Sequence, residues 1–193
     1  MRTISVTMSV TLDGVVQGLA RVDEDTRDGF THGGWGLRYQ DEVMGQEMAR
    51  GMAEPGAMLF GRRTWQDFLG YWPQQTDSPF TGYLDSVTKY VASTTLRDAD
   101  AWKNSVLLPG EATRSIAALK AEPGPNLVII GSAKLVRTLH GAGLIDRYTL
   151  LTHPLVLGNG HRMFDKTSPL AEFTLVRSVP TTTGVIIATY EQA

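Results

Sequence analysis

The sequence has no cysteine and no large excess of charge of either sign. Without cysteine it can form no disulfide, thiolate nucleophile or cysteine-based metal site. Its 18 Lys and Arg residues against 20 Asp and Glu residues leave a formal net charge of -2. The chain therefore has no overall field that would attract nucleic acid or an anionic membrane, and any anion site must be local.

Long apolar runs are missing as well. The N-terminal stretch MRTISVTMSVTLDG alternates Ser and Thr with apolar residues, so it lacks the continuous apolar core of a signal peptide. No segment approaches the roughly 20 apolar residues of a membrane-spanning helix. With 193 residues, 42% of them hydrophobic, the chain is predicted to fold as a single domain over residues 1–193. We expect a cytoplasmic protein without membrane or nucleic-acid partners.

Short apolar runs alternate with segments of helical periodicity along the chain, and a predicted antiparallel hairpin closes it. This order predicts an α/β fold, a three-layer α/β/α domain whose central sheet is mixed but mainly parallel. The predicted strands are 4–12, 57–61, 89–93, 105–109, 126–130, 147–157, 173–179 and 185–191, and the predicted helices are 41–53, 63–70, a short one near 81–87, 111–121 and 132–143. The long connection 13–36 is predicted to be a functional loop, since loops of this length are uncommon in compact domains.

Three predicted strand ends carry small, hydroxyl or basic residues. In open α/β sheets, ligands bind beyond the carboxyl ends of the strands. Two of these turns open a helix, whose unpaired N–H groups and positive dipole end favour an anion. One such turn could be an ordinary helix cap, but three at one sheet edge predict a clamp for a polyphosphate ligand. The turns are Gly61-Arg62-Arg63-Thr64, Ser93-Thr94-Thr95 and Gly131-Ser132-Ala133-Lys134.

The standard nucleotide and catalytic motifs are absent. There is no G-x-x-x-x-G-K-[ST] loop and no G-x-G-x-x-G after a strand, which argues against a P-loop or Rossmann site. No G-x-S-x-G elbow occurs, and the four histidines show no metal-ligand spacing. The glycine-rich 158–164 stretch is predicted to be a tight turn between strands. A phosphate clamp without a nucleophile indicates a cofactor enzyme.

Acidic candidates for catalysis are few. Asp13 follows the first strand, where it can be a turn residue. Asp41 and Glu42 stand at a predicted helix start, where they can complement the helix dipole or contact a substrate. His153 precedes a proline inside an apolar run and is predicted to be structural rather than catalytic.

The order of several motifs resembles the dihydrofolate-reductase-like superfamily. The closest branch contains the reductase domain of the bacterial bifunctional riboflavin deaminase-reductase. The resemblance covers about residues 3–190 and rests on TLDG, GGW, LFGRRTWQDF, KYVASTTL and, most specifically, the pattern in 128–164. It implies a dihydrofolate-reductase-like fold with NADPH as hydride donor. The zinc-dependent deaminase half is absent, since this chain has no cysteine ligands.

The resemblance also implies roles for individual residues. Arg62 would face the 2′-phosphate of NADPH, which favours NADP over NAD, and Arg63 and Thr64 would face the pyrophosphate. The 13–36 loop could act as a lid over the nicotinamide. Further implied contacts are Ser93 and Thr94 at the adenosine phosphate, Gly131, Ser132, Ala133 and Lys134 around the pyrophosphate, Asp13, Gly14 and Trp35 at the nicotinamide end, and Asp41 at the substrate. Either a bound water or a nearby acid such as Asp41 would supply the proton.

These observations predict an NADPH-dependent reductase of a small heterocyclic or ribosyl substrate. The nearest named activity is reduction of 5-amino-6-(5-phosphoribosylamino)uracil. One alternative is a dihydrofolate reductase, and an alternative of another class is a non-catalytic NADP-binding or sensor domain. The family often pairs its subunits and the tail strands offer a free sheet edge, so a homodimer is compatible with the sequence.

Overall fold

A computed structural model describes residues 1–54 and 56–193. It contains the strands β1 (Ile4–Thr11), β2 (Gly56–Gly61), β3 (Lys89–Ala92), β4 (Ser105–Leu108), β5 (Asn126–Ile130), β6 (Arg147–His153), β7 (Phe173–Pro180) and β8 (Ile186–Gln192). The helices are α1 (Glu42–Ala53), α2 (Arg62–Tyr71), α3 (Pro79–Ser86), α4 (Ala112–Ala121) and α5 (Ala133–Gly141). Three short 3-10 turns, Arg27–Gly29, Leu37–Tyr39 and Trp72–Gln74, lie in the connections.

The strands form one sheet in the order β4-β3-β2-β5-β1-β6-β8-β7. Pairs among β1 to β6 are parallel, whereas β8 runs antiparallel to both β6 and β7. The predicted α/β class and the antiparallel C-terminal hairpin are confirmed. β6 ends at His153 rather than at residue 157, because Pro154 has no N–H group with which to continue the ladder. β7 is an edge strand, and the homodimer proposed for that edge stays a prediction.

β1 has one apolar and one polar face. Ile4, Val6 and Met8 are buried in the larger core, together with side chains of α4 and α5. The alternate residues Ser5, Thr7 and Ser9 point to the opposite side of the sheet and are half-buried. Central parallel strands are normally apolar on both faces. The polar face of β1 therefore marks a region that the helices do not fully cover.

The helices on this second side leave a gap between them. α2 and α3 pack on β2 and β3 through a cluster that includes Phe60 and Trp65. α1 packs on β6 and β8, where Met44 contacts the cluster of Leu151 and Ile187. Between these two packing areas runs a cleft of about 2330 Å³ whose lining includes the polar residues of β1. That volume exceeds the roughly 300–1,000 Å³ of a pocket for one drug-sized ligand, so the cleft can hold two ligands side by side.

His153, at the end of β6, is buried beside the 13–36 loop. Its ring packs edge-on against Trp35 and Tyr39, with ring centroids 5.0 and 5.3 Å away. Neither ring nitrogen has a hydrogen-bond partner among the described residues. Burial lowers the pKa of His153 from 6.5 to about 4, because an apolar environment disfavours the imidazolium. This environment agrees with a structural role.

Acid is expected to destabilise the protein through His153. Because the unfolded chain takes up the proton at higher pH than the folded chain, stability from this group is complete above pH ~6.5 and falls towards pH ~4. Between about pH 7 and about pH 4.5 the loss should be about 2 kcal/mol in the free energy of unfolding. His153→Phe should remove this part of the pH dependence in chemical denaturation. His32→Phe, at an exposed position, should behave like the wild type. Identical pH profiles for the wild type and His153→Phe would contradict the assignment.

Candidate functional site

The three predicted turns lie side by side at one edge of the sheet. They follow β3, β2 and β5, which are neighbours in the sheet, and Gly61 pairs in register with Ala92. Strand spacing of about 4.8 Å places all three turns within about 10 Å. All ten candidate residues of these turns line the same cleft: Gly61, Arg62, Arg63, Thr64, Ser93, Thr94, Gly131, Ser132, Ala133 and Lys134.

The hydroxyl of Ser132 joins two of these turns. It accepts a hydrogen bond from the Gly61 amide at 3.1 Å and donates one to the Thr64 hydroxyl at 2.7 Å. Gly131 and Ser132 both adopt left-handed backbone conformations, with φ of 75° and 61°. A Cβ at Gly131 would lie 3.2 Å from Cγ2 of Thr64, so only glycine fits without displacing the threonine. The turn after β2 and the turn after β5 therefore form one unit.

Ser132→Ala is expected to cost about 1–2 kcal/mol, because the Gly61 amide and the Thr64 hydroxyl both lose this partner. Ser132→Gly loses the same hydroxyl but relieves the left-handed backbone, so it should be more stable than the alanine variant by about 1 kcal/mol. Urea denaturation of the two variants checks both values. An alanine variant as stable as the wild type would show that the bridge contributes nothing to folding.

The two helices at this edge have no side-chain cap, unlike α1 and α4. Asp41 caps α1 through the Met44 amide, and Glu111 caps α4 through two first-turn amides. No side chain caps α2 or α5, which begin at the turns joined by Ser132. Their first-turn N–H groups and positive dipole ends face the cleft edge, which favours an anion there.

The basic residues at this edge are also unpaired. Within the described parts of the chain, Arg62, Arg63 and Lys134 have no carboxylate within 4.0 Å, and Arg62 bonds only to Gln66 Oε1 at 3.1 Å. We call this group of three residues the rim cations. Three unneutralised cations beside two uncapped helix ends form a seat for a polyanion.

The third turn presents hydroxyl groups. Ser93 Oγ accepts hydrogen bonds from the amides of Thr95 and Leu96, at 3.1 and 3.0 Å. These bonds fix the turn after β3 next to Arg62, while the Thr94 side chain is exposed. This turn borders the cation-bearing part of the edge without adding charge to it.

Asp13 and Gly14, expected at the nicotinamide end, hold a neighbouring turn together instead of lining the cleft. The Asp13 carboxylate accepts hydrogen bonds from the Thr11 hydroxyl at 2.7 Å and from the amides of Leu157 and Gly158. Burial acts to raise its pKa, but these hydrogen bonds outweigh that effect and lower it. Arg162 donates to the Asp13 carbonyl oxygen at 2.8 Å. The 158–164 turn predicted from the sequence is thus anchored on Asp13.

Trp35, the third residue expected at this end, is buried within the 13–36 loop. It is 7% exposed, packs with Val15 and Phe30, and donates its indole N–H to the Gln17 carbonyl oxygen at 2.7 Å. The cleft beyond β1 is lined instead by residues 16–19 of the same loop. A direct contact between Trp35 and a ligand in the cleft does not fit this burial.

Asp41 does not lie in the cleft either. Its carboxylate accepts hydrogen bonds from the Met44 amide at 2.8 Å, from the Thr182 hydroxyl at 2.7 Å, and from the amides of Thr182 and Thr183. The hydrogen bonds from Thr182 and Met44 lower the pKa of Asp41 to about 2. A carboxylate that is ionised at neutral pH and engaged in this way is a cap and a loop anchor, so the expected role in proton donation is not supported by the geometry.

The 13–36 loop is internally braced and strapped to α2. Gln17 donates to the carbonyl oxygens of Asp25 and Arg27, at 3.2 and 3.1 Å. Arg21 reaches across to Asp67 on α2 at 2.6 Å and stacks on the Tyr71 ring at 4.6 Å. We call this contact between Arg21 and Asp67 the strap, and it forms one wall of the cleft. Nothing in the local sequence of the loop indicated that Arg21 pairs with a residue 46 positions away.

The family model of the RibD C-terminal domain matches residues 2–187. The chain belongs to the RibD C-terminal domain family. Among curated relatives of this RibD-type chain is the uncharacterized protein YyaP of Bacillus subtilis, 26% identical over 98% of this chain and 94% of its own length. Membership supports an oxidoreductase of the riboflavin-biosynthesis type.

Solved structures share the fold of this RibD-type domain along its whole length. A riboflavin biosynthesis protein from Shewanella sp. PV-4 is 19% identical, with a TM-score of 0.69 over 99% of both chains. A pyrimidine reductase-like protein from Corynebacterium diphtheriae is 12% identical, with a TM-score of 0.64 over 100% of this chain and 92% of its own. Dihydrofolate reductase from Enterococcus faecalis, complexed with NADP(H), is 12% identical with a TM-score of 0.63 over 98% and 96% of the two chains. Within the described residues, no helix of this domain has the length and apolarity needed to cross a membrane.

Proposed function

We propose that this protein is an NADPH-dependent reductase that acts on a small heterocyclic or ribosyl substrate. The observation that carries the proposal is the edge where two uncapped helices and the rim cations meet in a chain of the RibD family. The closest named activity is reduction of 5-amino-6-(5-phosphoribosylamino)uracil. This activity needs one polyanionic cofactor and one small polar substrate, and the single cleft has room for both.

The residues at the edge fit NADPH better than NADH. NADPH carries a 2′-phosphate in addition to the pyrophosphate, and an arginine is well suited to bind it through charge-assisted hydrogen bonds. We assign Arg62 to the 2′-phosphate, and Arg63, Thr64 and Lys134 to the neighbourhood of the pyrophosphate. The uncapped N–H groups of α2 and α5 would complete the pyrophosphate seat.

When bound, NADPH supplies the hydride, and the protein supplies position and enclosure. Residues 16–19 of the loop beyond β1 form the wall next to the nicotinamide end of the proposed site. The strap from Arg21 to Asp67 closes this wall on α2, which limits access of bulk water. Since Asp41 is engaged outside the cleft, we assign delivery of the proton to water held in the cleft.

Folate reduction has less support than the proposed activity. In that alternative an acid at the start of α1 would hold the heterocycle, but the Asp41 carboxylate already accepts hydrogen bonds from Thr182 and from the Met44 amide. Tight binding of methotrexate would reverse this preference. A non-catalytic NADP-binding domain would bind NADPH yet oxidise it with none of the pterin or pyrimidine substrates.

Arg62→Ala is expected to weaken NADPH binding about 10- to 100-fold, because it removes a charged contact worth about 1.5–3 kcal/mol. NADH binding should change by less than about threefold, since NADH has no 2′-phosphate. Both can be titrated through tryptophan fluorescence, since Trp65 lies in α2 three residues after Arg62.

Arg114→Ala on α4 is the matched control, because it removes the same charge from an exposed position outside the cleft. It should leave both affinities unchanged. Equal losses for the two cofactors in Arg62→Ala would remove the 2′-phosphate assignment. No binding of either cofactor to the wild type would sink the reductase proposal.

A further inference from the structure

The strap spans the end of a strand that lies between its two anchoring points. Arg21 belongs to the loop that follows β1, and Asp67 belongs to α2, which follows β2. β5 lies between β1 and β2 in the sheet, so the strap bridges two strand spacings, roughly 10 Å. The turn that begins at Gly131 follows β5, and Arg21, Asp67 and Gly131 all line the cleft. The strap therefore closes the cleft over β5.

A ligand that reaches from one end of this part of the cleft to the other must pass the strap. The rim cations follow β2 and β5, whereas residues 16–19 follow β1. In the proposed function, NADPH has its phosphates at the rim cations and its nicotinamide next to residues 16–19. The middle of the dinucleotide would then lie between β5, which contributes Ile130 to the lining, and the strap.

The loop that carries Arg21 is fixed on one side of the cleft by its backbone. The Val16 amide donates to the His161 carbonyl oxygen, and the Met163 amide donates to the Gly14 carbonyl oxygen, both at 2.9 Å. The His161 amide also donates to Gln17 Oε1 at 2.9 Å. These three hydrogen bonds attach the loop to the turn that follows β6, so this side cannot open without loss of backbone hydrogen bonds.

On the other side of the cleft the loop is held by one side chain. Within the described residues, Arg21 makes the only hydrogen bond or ion pair between this loop and α2, with Asp67 at 2.6 Å, and it also packs on the Tyr71 ring. Glu24 accepts hydrogen bonds from the amides of Ala20 and Arg21, which fixes the backbone where the strap begins. The Arg21 and Asp67 side chains are 26% and 30% exposed, so water can replace their contact at low cost. The loop can thus open at α2 while its other side stays in place.

We propose that the strap is a latch over the cofactor, and that it breaks each time NADPH enters or leaves the cleft. The inference rests on the proposed function and adds to it what controls exchange of the cofactor. One partly exposed ion pair and one cation–π contact make the closed state about tenfold more populated than the open state. Because Arg21 and Asp67 contact each other rather than a phosphate, the strap has the same strength with and without cofactor. It therefore slows binding and release alike and leaves the Kd nearly unchanged.

The test is stopped-flow tryptophan fluorescence of NADPH binding and release with the full chain. Asp67→Asn and Arg21→Gln each break the strap, so both should raise kon and koff about 5- to 10-fold. The Kd should change by less than about threefold. The two substitutions alter the charge of the cleft in opposite directions, so an electrostatic effect alone would raise kon in one variant and lower it in the other. The double variant should be no faster than Arg21→Gln, because the strap is already broken there.

The second probe is 2′,5′-ADP, which carries the 2′-phosphate and one 5′-phosphate but has no nicotinamide half. It can occupy the seat at the rim cations without passing the strap, so its rates should be the same in the wild type and in the strap variants. Asp77→Asn is the matched control, since it removes the same charge as Asp67→Asn from an exposed position outside the cleft. It should leave the rates of both ligands unchanged.

Three results would overturn the latch. Opposite changes of kon in the two single variants would reveal a charge effect, and NADPH rates equal to those of the wild type would show that the strap controls nothing. Release of 2′,5′-ADP accelerated as much as release of NADPH would show a general disturbance of α2. If the wild type binds neither NADPH nor 2′,5′-ADP, the proposed reductase function fails instead.

Discussion

The alternation of apolar and polar residues along β1 is the constraint on which the rest of the molecule depends. One face of this central strand supplies Ile4, Val6 and Met8 to the core, and the other presents Ser5, Thr7 and Ser9 to the cleft. A one-residue slip of β1 in the sheet would exchange the two faces and abolish both core and cleft. The parallel pairing of β1 with β5 and β6 fixes the register of the strand, so that its apolar face stays on the core and its polar face stays on the cleft.

Charge is distributed unevenly along the cleft. At the edge after β2 and β5, the rim cations have no carboxylate partner, and the adjoining helices have no side-chain cap. Elsewhere in the cleft, arginines such as Arg21 and Arg177 are paired with Asp67 and Glu47. The chain carries nearly equal numbers of both charges, so local pairing rather than composition determines where an anion can bind. The overall charge of -2 gives no hint of this arrangement.

Features set by local pattern could be predicted from the sequence. The strand ends at Gly61 and Gly131 meet at one edge because parallel strands point the same way, and short-range periodicity identifies such strands. The fold class followed from the same alternation. The polar face of β1 was also readable, since ISVTMSVT alternates strictly, and that signal predicts a strand with one solvent- or ligand-facing side.

Features set by distant contacts could not be predicted. The role of Asp41 is decided by Thr182, 141 residues away in the chain, and that of Asp13 by amides 144 and 145 residues away. Trp35 is turned inward by a carbonyl group of its own loop. In each case the residue type permitted both a ligand contact and a structural hydrogen bond, and only the tertiary partner distinguished them.

The hydrogen bonds of Ser132 to Gly61 and Thr64 involve other residues than the rim cations, so the stability of the junction and the cofactor preference depend on different side chains. The hydroxyls and glycines that join the two turns point inward to one another, whereas the rim cations contribute no hydrogen bond to that junction. Substitutions at positions 62, 63 and 134 can therefore alter the cofactor preference without loosening the junction. Such an edge can be retuned in evolution, or by an engineer, at little risk to the integrity of the domain.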